Sequence, residues 1–199
     1  MKSRFEREQI RLREEILNAA LHIAQSEGWA AVSIRGIAHK IEYSTTKVYE
    51  LFENKDHIVL ELLRKGFTLL ATKLEEAVGA YSDPEEKAIA LTRAYCAFAW
   101  DHGAYYRIMF GMDGVPFGVE QTWQEGMRIG EISKNVLSSF LPHCTDEEVD
   151  HYVYASWGTL HGISSLFMSG RLYGTREQAE ELALKAVLNM TKSGRESES

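Results

Sequence analysis

The chain has 199 residues, of which 45% are hydrophobic, so it can bury a substantial core without disulfide or metal cross-links. No apolar run approaches the ~20 residues of a membrane-spanning helix, and the charged start MKSRFEREQIRLREE lacks the apolar segment of a signal peptide. The net charge is −7. The two cysteines, Cys96 and Cys144, do not have the spacing of metal ligands, so we expect them to be reduced thiols in a cytoplasmic protein.

The acidic charge is concentrated in the second part of the chain. Residues 1–65 hold 11 Lys and Arg against 10 Asp and Glu, whereas residues 66–199 hold 11 against 19. Such an asymmetry is typical of two parts with different roles. A near-neutral first part attracts nucleic acid only weakly, so binding there depends on where its cations lie and on doubling in a dimer.

The first predicted helix covers residues 5–28, where apolar residues follow a helical period and Gly28 is the natural stop. Four arginines cluster near its start, namely Arg4, Arg7, Arg11 and Arg13. Two interpretations stay open. The arginines form a basic arm on a phosphate backbone, or they lie on a solvated helix face and pair with neighbouring glutamates, namely Glu6, Glu8, Glu14 and Glu15.

The stretch 33–52 predicts two short helices joined by the turn Glu42–Tyr43–Ser44. Ser33 and Ser44 are candidate N-caps, because their hydroxyl oxygens can accept from amides of the first turn. Apolar residues at helical spacing give each helix one inward face, namely Ile34, Ile37, Ala38, Ile41, Val48, Leu51 and Phe52. Two short helices around such a turn make a helix-turn-helix.

The second of these helices presents polar side chains outward, namely Thr45, Thr46, Lys47, Tyr49 and Glu50. Hydroxyls, a phenol and an ammonium suit contacts to phosphate oxygens and base edges. Lys55 follows at the start of a third helix capped by Asn54, where its charge and the helix amides can both face a phosphate.

This stretch resembles the DNA-binding signature of the tetracycline-repressor-like (TetR/AcrR) transcriptional regulators. The resemblance spans roughly residues 10–70 and rests on eight positions, namely Ile37, Ala38, Ser44, Val48, Tyr49, Phe52, Lys55 and Ile58. It implies a recognition helix from Thr45, with Tyr49 and Lys55 on phosphates. The expected DNA-binding residues are Arg35, Ser44, Thr45, Thr46, Lys47, Tyr49 and Lys55. One departure is Glu42, which replaces the family's usual Gly and must adopt a left-handed conformation or reshape the turn.

The remaining elements are also helical. A long helix from Lys55 to about Tyr81 links the two parts, and Asp83 with Pro84 opens the next helix, which runs to Asp101. Further helices are predicted at 105–110, 119–140, 146–170 and 176–192, where Thr145 with Glu148 and Thr175 with Gln178 fit capping boxes. Residues 112–118 read as a loop, and no strand pattern appears.

The helix 146–170 is rich in small residues and needs cover on more than one face. Its Trp157, His161 and Gly162 resemble the Trp-His-Gly (WHG) pattern of one C-terminal subclass of TetR-like regulators. In that family the last two helices form a four-helix bundle with those of a partner. We therefore predict a homodimer through the last two helices, whose paired recognition helices suit a palindromic double-stranded DNA operator.

The second part also carries many large apolar side chains, which suit a pocket for a small effector but are more often plain core. The candidate ligand-binding residues are Phe98, Trp100, Tyr106, Met109, Phe110, Phe117, Trp123, Met127, Trp157 and His161. For His161 the alternative is a core histidine bonded across helices. The glycine-rich stretch 111–118 is the candidate entrance. The resemblance implies that ligand binding moves the linking helix and lowers DNA affinity.

No nucleophile elbow, phosphate loop, metal motif or dinucleotide fingerprint is present, so we expect no enzyme, cofactor or metal. The sequence predicts an all-α fold of about nine helices: a helix-turn-helix DNA-binding domain (1–65, motif 33–52), a ligand-binding and dimerisation domain (66–192) and a disordered tail (193–199). The expected function is a repressor released from DNA by a small apolar or aromatic effector. The alternative is a helical small-molecule sequestering protein or enzyme that has lost specific DNA binding.

Overall fold

The computed structural model describes residues 3–112, 119–121 and 123–195, and every regular element among them is a helix. The order is α1 (Arg4–Glu27), a short 3₁₀ helix (Trp29–Ala31), α2 (Ile34–Lys40), α3 (Thr45–Tyr49), α4 (Lys55–Gly79), α5 (Pro84–Asp101), α6 (Gly103–Met109), a second 3₁₀ helix (Val119–Gln121), α7 (Trp123–Phe140), α8 (Asp146–Met168), α9 (Arg176–Met190) and α10 (Lys192–Arg195). The all-α prediction is confirmed.

The chain divides into two compact units. The first unit comprises Met1–Gly66 with Ala104–Thr122, and the second comprises Phe67–Gly103 with Trp123–Ser199. The sequence predicted a boundary at residue 65, and it did not indicate that 104–122 group with the helix-turn-helix. In the predicted tail, Lys192–Arg195 form a helical turn, and residues 196–199 lie outside the described part. None of the described helices has both the length and the apolar composition for a membrane crossing.

The helix starts follow the predicted capping chemistry. The Ser33 side chain accepts from the Gly36 amide, and Asp83 accepts from the Glu86 amide at 2.9 Å. Both predicted capping boxes form, because the backbone amides of Thr145 and Thr175 also donate to the side chains of Glu148 and Gln178. A further box at Ser3 and Glu6 opens α1. Local sequence therefore fixes where these helices begin.

The first unit is built on the inward faces of α1 to α4. Its fully buried side chains include Ile16, Leu17, Ile37, Val48, Ile58 and Leu62. The Trp29 indole N–H donates to the Ala104 carbonyl at 2.9 Å, which attaches the start of α6 to this unit. Gly66 on α4 faces α6 so closely that a Cβ there would lie 2.7 Å from the Met109 sulfur. A larger residue at this position would require that the Met109 side chain move.

The second unit is a helical bundle with α5 at its centre, because α5 packs against α7, α8 and α9. Phe98 and Ala99 on α5 are fully buried, and Trp100 packs on Phe167 of α8 with ring centroids 4.9 Å apart. A bidentate ion pair joins Arg176 of α9 to Asp101 of α5, with N–O distances of 2.6 and 2.9 Å. The apolar core and this pair hold α8 and α9 onto α5.

Candidate nucleic-acid interface

The turn between α2 and α3 adopts the left-handed conformation, since Glu42 has a φ of 58°. Of the two possibilities left by the sequence, the chain therefore keeps the turn and accepts the backbone strain of a non-glycine residue. Tyr43 beside it reaches α1, where Glu8, Glu15 and a hydrogen bond with the Tyr43 side chain raise the pKa of Arg11 above its ordinary value.

The recognition helix α3 is anchored by one side chain and exposes the others. Val48 is fully buried, whereas the predicted DNA-binding residues Thr45, Thr46, Lys47 and Tyr49 are exposed, Tyr49 to 55%. The Ser44 hydroxyl oxygen caps the helix by accepting from the Lys47 amide at 3.4 Å. Ser44 therefore positions α3 and still has its own hydroxyl proton for a phosphate oxygen.

An ion pair lies on the exposed face of α3. The Lys47 ammonium is 2.6 Å from a carboxylate oxygen of Glu50, one turn further on, and both side chains are about half exposed. The sequence placed both residues outward but did not predict that they pair. To contact a phosphate, the Lys47 ammonium must break its ion pair with Glu50 or bind the carboxylate and the phosphate together.

Lys55 is less accessible than its predicted role required. Its ammonium donates to the Trp29 carbonyl at 3.2 Å, and the side chain is half buried. Two ammonium hydrogens remain for a phosphate, so the predicted contact stays a prediction. Asn54 caps α4 as expected, since its side-chain oxygen accepts from the His57 amide at 2.9 Å. Arg35, the other predicted cation, is exposed on α2.

Of the two interpretations of the first arginines, the structure supports the solvated helix face for Arg11. It lies 3.2 Å from Glu15 and 3.8 Å from Glu8. Arg13 follows neither interpretation, because it pairs with Glu61, which is 48 residues away on α4. No local pattern indicates a pair at that separation.

The ten predicted ligand-binding residues are divided between the two units. In the first unit Tyr106 and Met109 are buried, and the Tyr106 and Phe110 rings are 4.7 Å apart. In the second, Phe98 is buried beside His102 and Trp100 packs on Phe167, while Met127 and Trp157 are 43% and 46% exposed. Phe117 lies outside the described residues, and only the backbone of Trp123 is described.

His161, one of the predicted ligand-binding residues, is half buried on α8, and burial lowers its pKa below 6.5. Both cysteines are free thiols. Among the described residues no group of His, Cys, Asp and Glu side chains has the geometry to hold a metal ion.

Comparisons with known proteins agree with this arrangement. The model described as bacterial regulatory proteins, tetR family, matches residues 16–62, and the tetracyclin repressor-like C-terminal domain matches residues 88–190. The chain is similar to the HTH-type transcriptional repressor KstR of Mycolicibacterium smegmatis, with 29% identity over 75 residues. That alignment covers 38% of this chain and 37% of the repressor, so it spans little more than a third of each. The Trp-His-Gly subclass is not identified by these matches and stays a prediction.

Solved structures share the fold over nearly the whole chain. A protein with unknown function from Rhodococcus sp. RHA1 has a TM-score of 0.78 at 22% identity, covering 90% of this chain and 94% of its own. The TetR family regulator PfmR from Thermus thermophilus has a TM-score of 0.68 at 20% identity, covering 92% and 99%. One family model matches the helix-turn-helix, and the other matches more than half of the chain. This protein therefore belongs to the tetR family of bacterial regulatory proteins.

Proposed function

We propose that this regulator is a repressor that binds a palindromic operator as a homodimer and leaves it when a small apolar or aromatic effector binds. The observation that carries the DNA-binding part is the row of exposed hydroxyls, phenol and ammonium around buried Val48 on α3. Thr45, Thr46 and Tyr49 supply donors and acceptors for base edges and phosphates. An operator on the chromosome implies a cytoplasmic protein.

The homodimer rests on an uncovered face of α8. Tyr154 is 68% exposed there, and a Cβ added at Gly158 or Gly162 would meet no described atom within 4 Å. These three positions follow a helical spacing of four residues, so they share one side of the helix. Small residues on an open helix face let a second helix approach closely, and such a helix would also cover the exposed ring of Tyr154. We infer that α8 and α9 of a partner cover it.

The effector is proposed to bind the second unit. The Trp100 indole N–H and the hydroxyls of Ser156 and Ser165 are buried without a hydrogen-bond partner among the described residues. Such groups are costly unless a ligand or water satisfies them. An apolar molecule that carries one or two hydrogen-bond acceptors would pair with the indole and keep its remaining surface dry.

One experiment tests the central proposal. An electrophoretic mobility shift assay measures binding to DNA from upstream of the protein's own gene. The same assay is applied to sequences that the protein selects from a random duplex library. We expect a two-fold symmetric sequence to be enriched and shifted more strongly than a scrambled duplex at the same salt concentration. Binding without preference, or none, would instead support the alternative of a sequestering protein or enzyme that has lost specific DNA binding.

A further inference from the structure

The side chain of Arg13 contacts three separate parts of the first unit. Its Nη1 donates to the Leu51 carbonyl at 3.0 Å, just after the end of α3. Its Nε donates to Glu61 on α4 at 3.2 Å, and its Nη2 completes a bidentate pair with the same carboxylate. The guanidinium also lies 4.2 Å from the ring centroid of Phe52. One side chain on α1 thereby joins the carboxyl end of the recognition helix to α4.

These contacts occur where α3 has little other support. The helix has five residues and buries Val48 alone, and five residues are too few for a helix to be stable by itself. Its carboxyl end is followed by Leu51 and Phe52, whose amides both donate to the Val48 carbonyl, at 3.1 and 3.0 Å. The orientation of α3 therefore depends on what fixes this end.

We propose that Arg13 is a positioning residue for operator binding, which sets the orientation of the recognition helix through Leu51 and Phe52 while Glu61 holds the guanidinium in place. This proposal rests on the proposed DNA-binding function. In this role Arg13 acts through Leu51 and Glu61, which accept three of its five guanidinium hydrogens, and it needs no contact with a base or phosphate. Only a guanidinium serves all three partners, because its planar fork bonds a carboxylate through two nitrogens and still has donors for a carbonyl.

The role predicts a selective defect. An operator requires that several side chains of α3 meet their partners together, so a change in its orientation weakens that complex most. A scrambled duplex is bound through phosphates and tolerates many orientations. Loss of Arg13 therefore lowers the affinity for the operator and leaves the affinity for scrambled DNA nearly unchanged.

The chain supplies a matched control one residue away. Glu14 on α1 pairs with Lys65 on α4, with N–O distances of 2.8 and 2.6 Å. The two pairs join the same two helices, but in the described residues no hydrogen bond links Glu14 or Lys65 to residues 45–52. Arg13→Met and Lys65→Met each remove one cation and one α1–α4 ion pair, and only the first frees the end of α3.

The test measures binding of the full-length variants to the duplex selected by the wild-type protein and to a scrambled duplex of equal length, by fluorescence anisotropy. For Arg13→Met we expect the operator affinity to fall about tenfold or more, as for lost charge-assisted hydrogen bonds, and the scrambled affinity to change less than about twofold. Lys65→Met should stay within about twofold of wild type on both duplexes. Amide hydrogen exchange at Leu51 and Phe52 should accelerate in Arg13→Met alone.

Equal losses on both duplexes would overturn the proposal, because Arg13 would then be a phosphate contact, and so would an unchanged operator affinity. If Arg13→Met fails to fold, Arg13→Lys replaces it, since lysine keeps the charge but cannot serve Glu61 and Leu51 together. It should lose operator affinity selectively, and full wild-type affinity would count against the role. If the wild-type protein selects no operator at all, the proposed function fails rather than this inference.

Discussion

The amide of Tyr43 donates to the carbonyl of Ala38 at 3.0 Å, across the end of α2. A second bond runs from the Glu42 amide to the His39 carbonyl at 3.3 Å. Together they form the Schellman arrangement that closes many helices, in which the left-handed residue is usually glycine. Here Glu42 occupies that position, so the turn of the helix-turn-helix has the standard hydrogen bonds with a residue that strains its backbone.

Glu42→Gly should therefore stabilise the protein. The strain energy that glycine removes from the folded state exceeds the entropic cost of its extra flexibility in the unfolded chain. We therefore expect the free energy of unfolding to rise by about 0.5–1 kcal/mol. Urea denaturation measures it. Glu27→Gly is the control, since Glu27 is exposed in the last turn of α1, and it should lose about 0.5–1 kcal/mol. A loss for both variants would contradict the argument.

Lys47 should contribute one phosphate contact per protomer. Lys47→Ala is expected to lower the slope of log affinity against log salt by about one per protomer, on operator and scrambled duplexes alike. Glu50→Gln should act in the opposite direction, because the partner that neutralises Lys47 is removed. Fluorescence anisotropy across a salt series measures both slopes. Lys185→Ala on α9 removes an exposed cation far from α3 in sequence and should leave the slope unchanged.

The open face of α8 should mediate dimerisation. A Cβ at residue 158 meets no described atom within 4 Å in the protomer, and leucine is a better helix former than glycine, so Gly158→Leu should stabilise the folded protomer by about 0.5–1 kcal/mol. The same side chain would fill the space that a partner helix needs, so sedimentation should detect monomers. Gly130→Leu on α7 also meets open space and should remain dimeric. If the Gly158→Leu variant remains dimeric, the dimer interface does not include this face of α8.

Stability should fall in mild acid because of His161. Burial lowers its pKa in the folded protein, so the unfolded chain binds the proton more readily. The stabilisation from neutral His161 is present above pH 6.5 and is lost as the pH falls through the range below it. His161→Gln should reduce the loss of stability between pH 7.5 and about pH 5.5, as measured by chemical denaturation. An undiminished loss of stability in His161→Gln would contradict this prediction.

Cys96 should destabilise the fold in alkali. Burial raises the pKa of its thiol from 9.0 to about 11, and a hydrogen bond with Ser164 offsets only part of this. Because the folded state holds the proton more tightly, stability is complete below pH 9.0 and is lost as the pH rises towards 11, by up to ~3 kcal/mol. Cys96→Ala should remove this decrease in denaturation curves, and Cys144→Ala should retain it. Rapid alkylation of Cys96 in the native protein at pH 8 would contradict its burial.

Features set by neighbouring residues were predictable from the sequence. The caps at Ser33, Ser44 and Thr145 depend on groups within three residues, and the helical period identified Val48 as the buried position of α3. The strain at Glu42 was one of two outcomes that a missing glycine allowed. These are short-range effects of backbone geometry, so the fold class and the helix-turn-helix followed from the sequence.

Features set by the tertiary fold were not predictable. The bond from Trp29 to Ala104 joins residues 75 apart, and the sequence showed no reason for α6 to group with the first unit. Tyr106 was chosen as a pocket residue by its type, whereas the structure buries it against Phe110. An aromatic residue serves a core and a pocket equally well, so composition alone does not separate them.

The tight approach at Gly66 restricts how this protein can evolve. A Cβ at residue 66 would lie 2.7 Å from the Met109 sulfur, so an alanine there requires that the flexible Met109 side chain adopt another rotamer. Shortening Met109 first would remove the clash but leave a void in the core, which costs about 2–5 kcal/mol. Since either change alone costs stability, we expect residues 66 and 109 to vary together among the descendants of this protein.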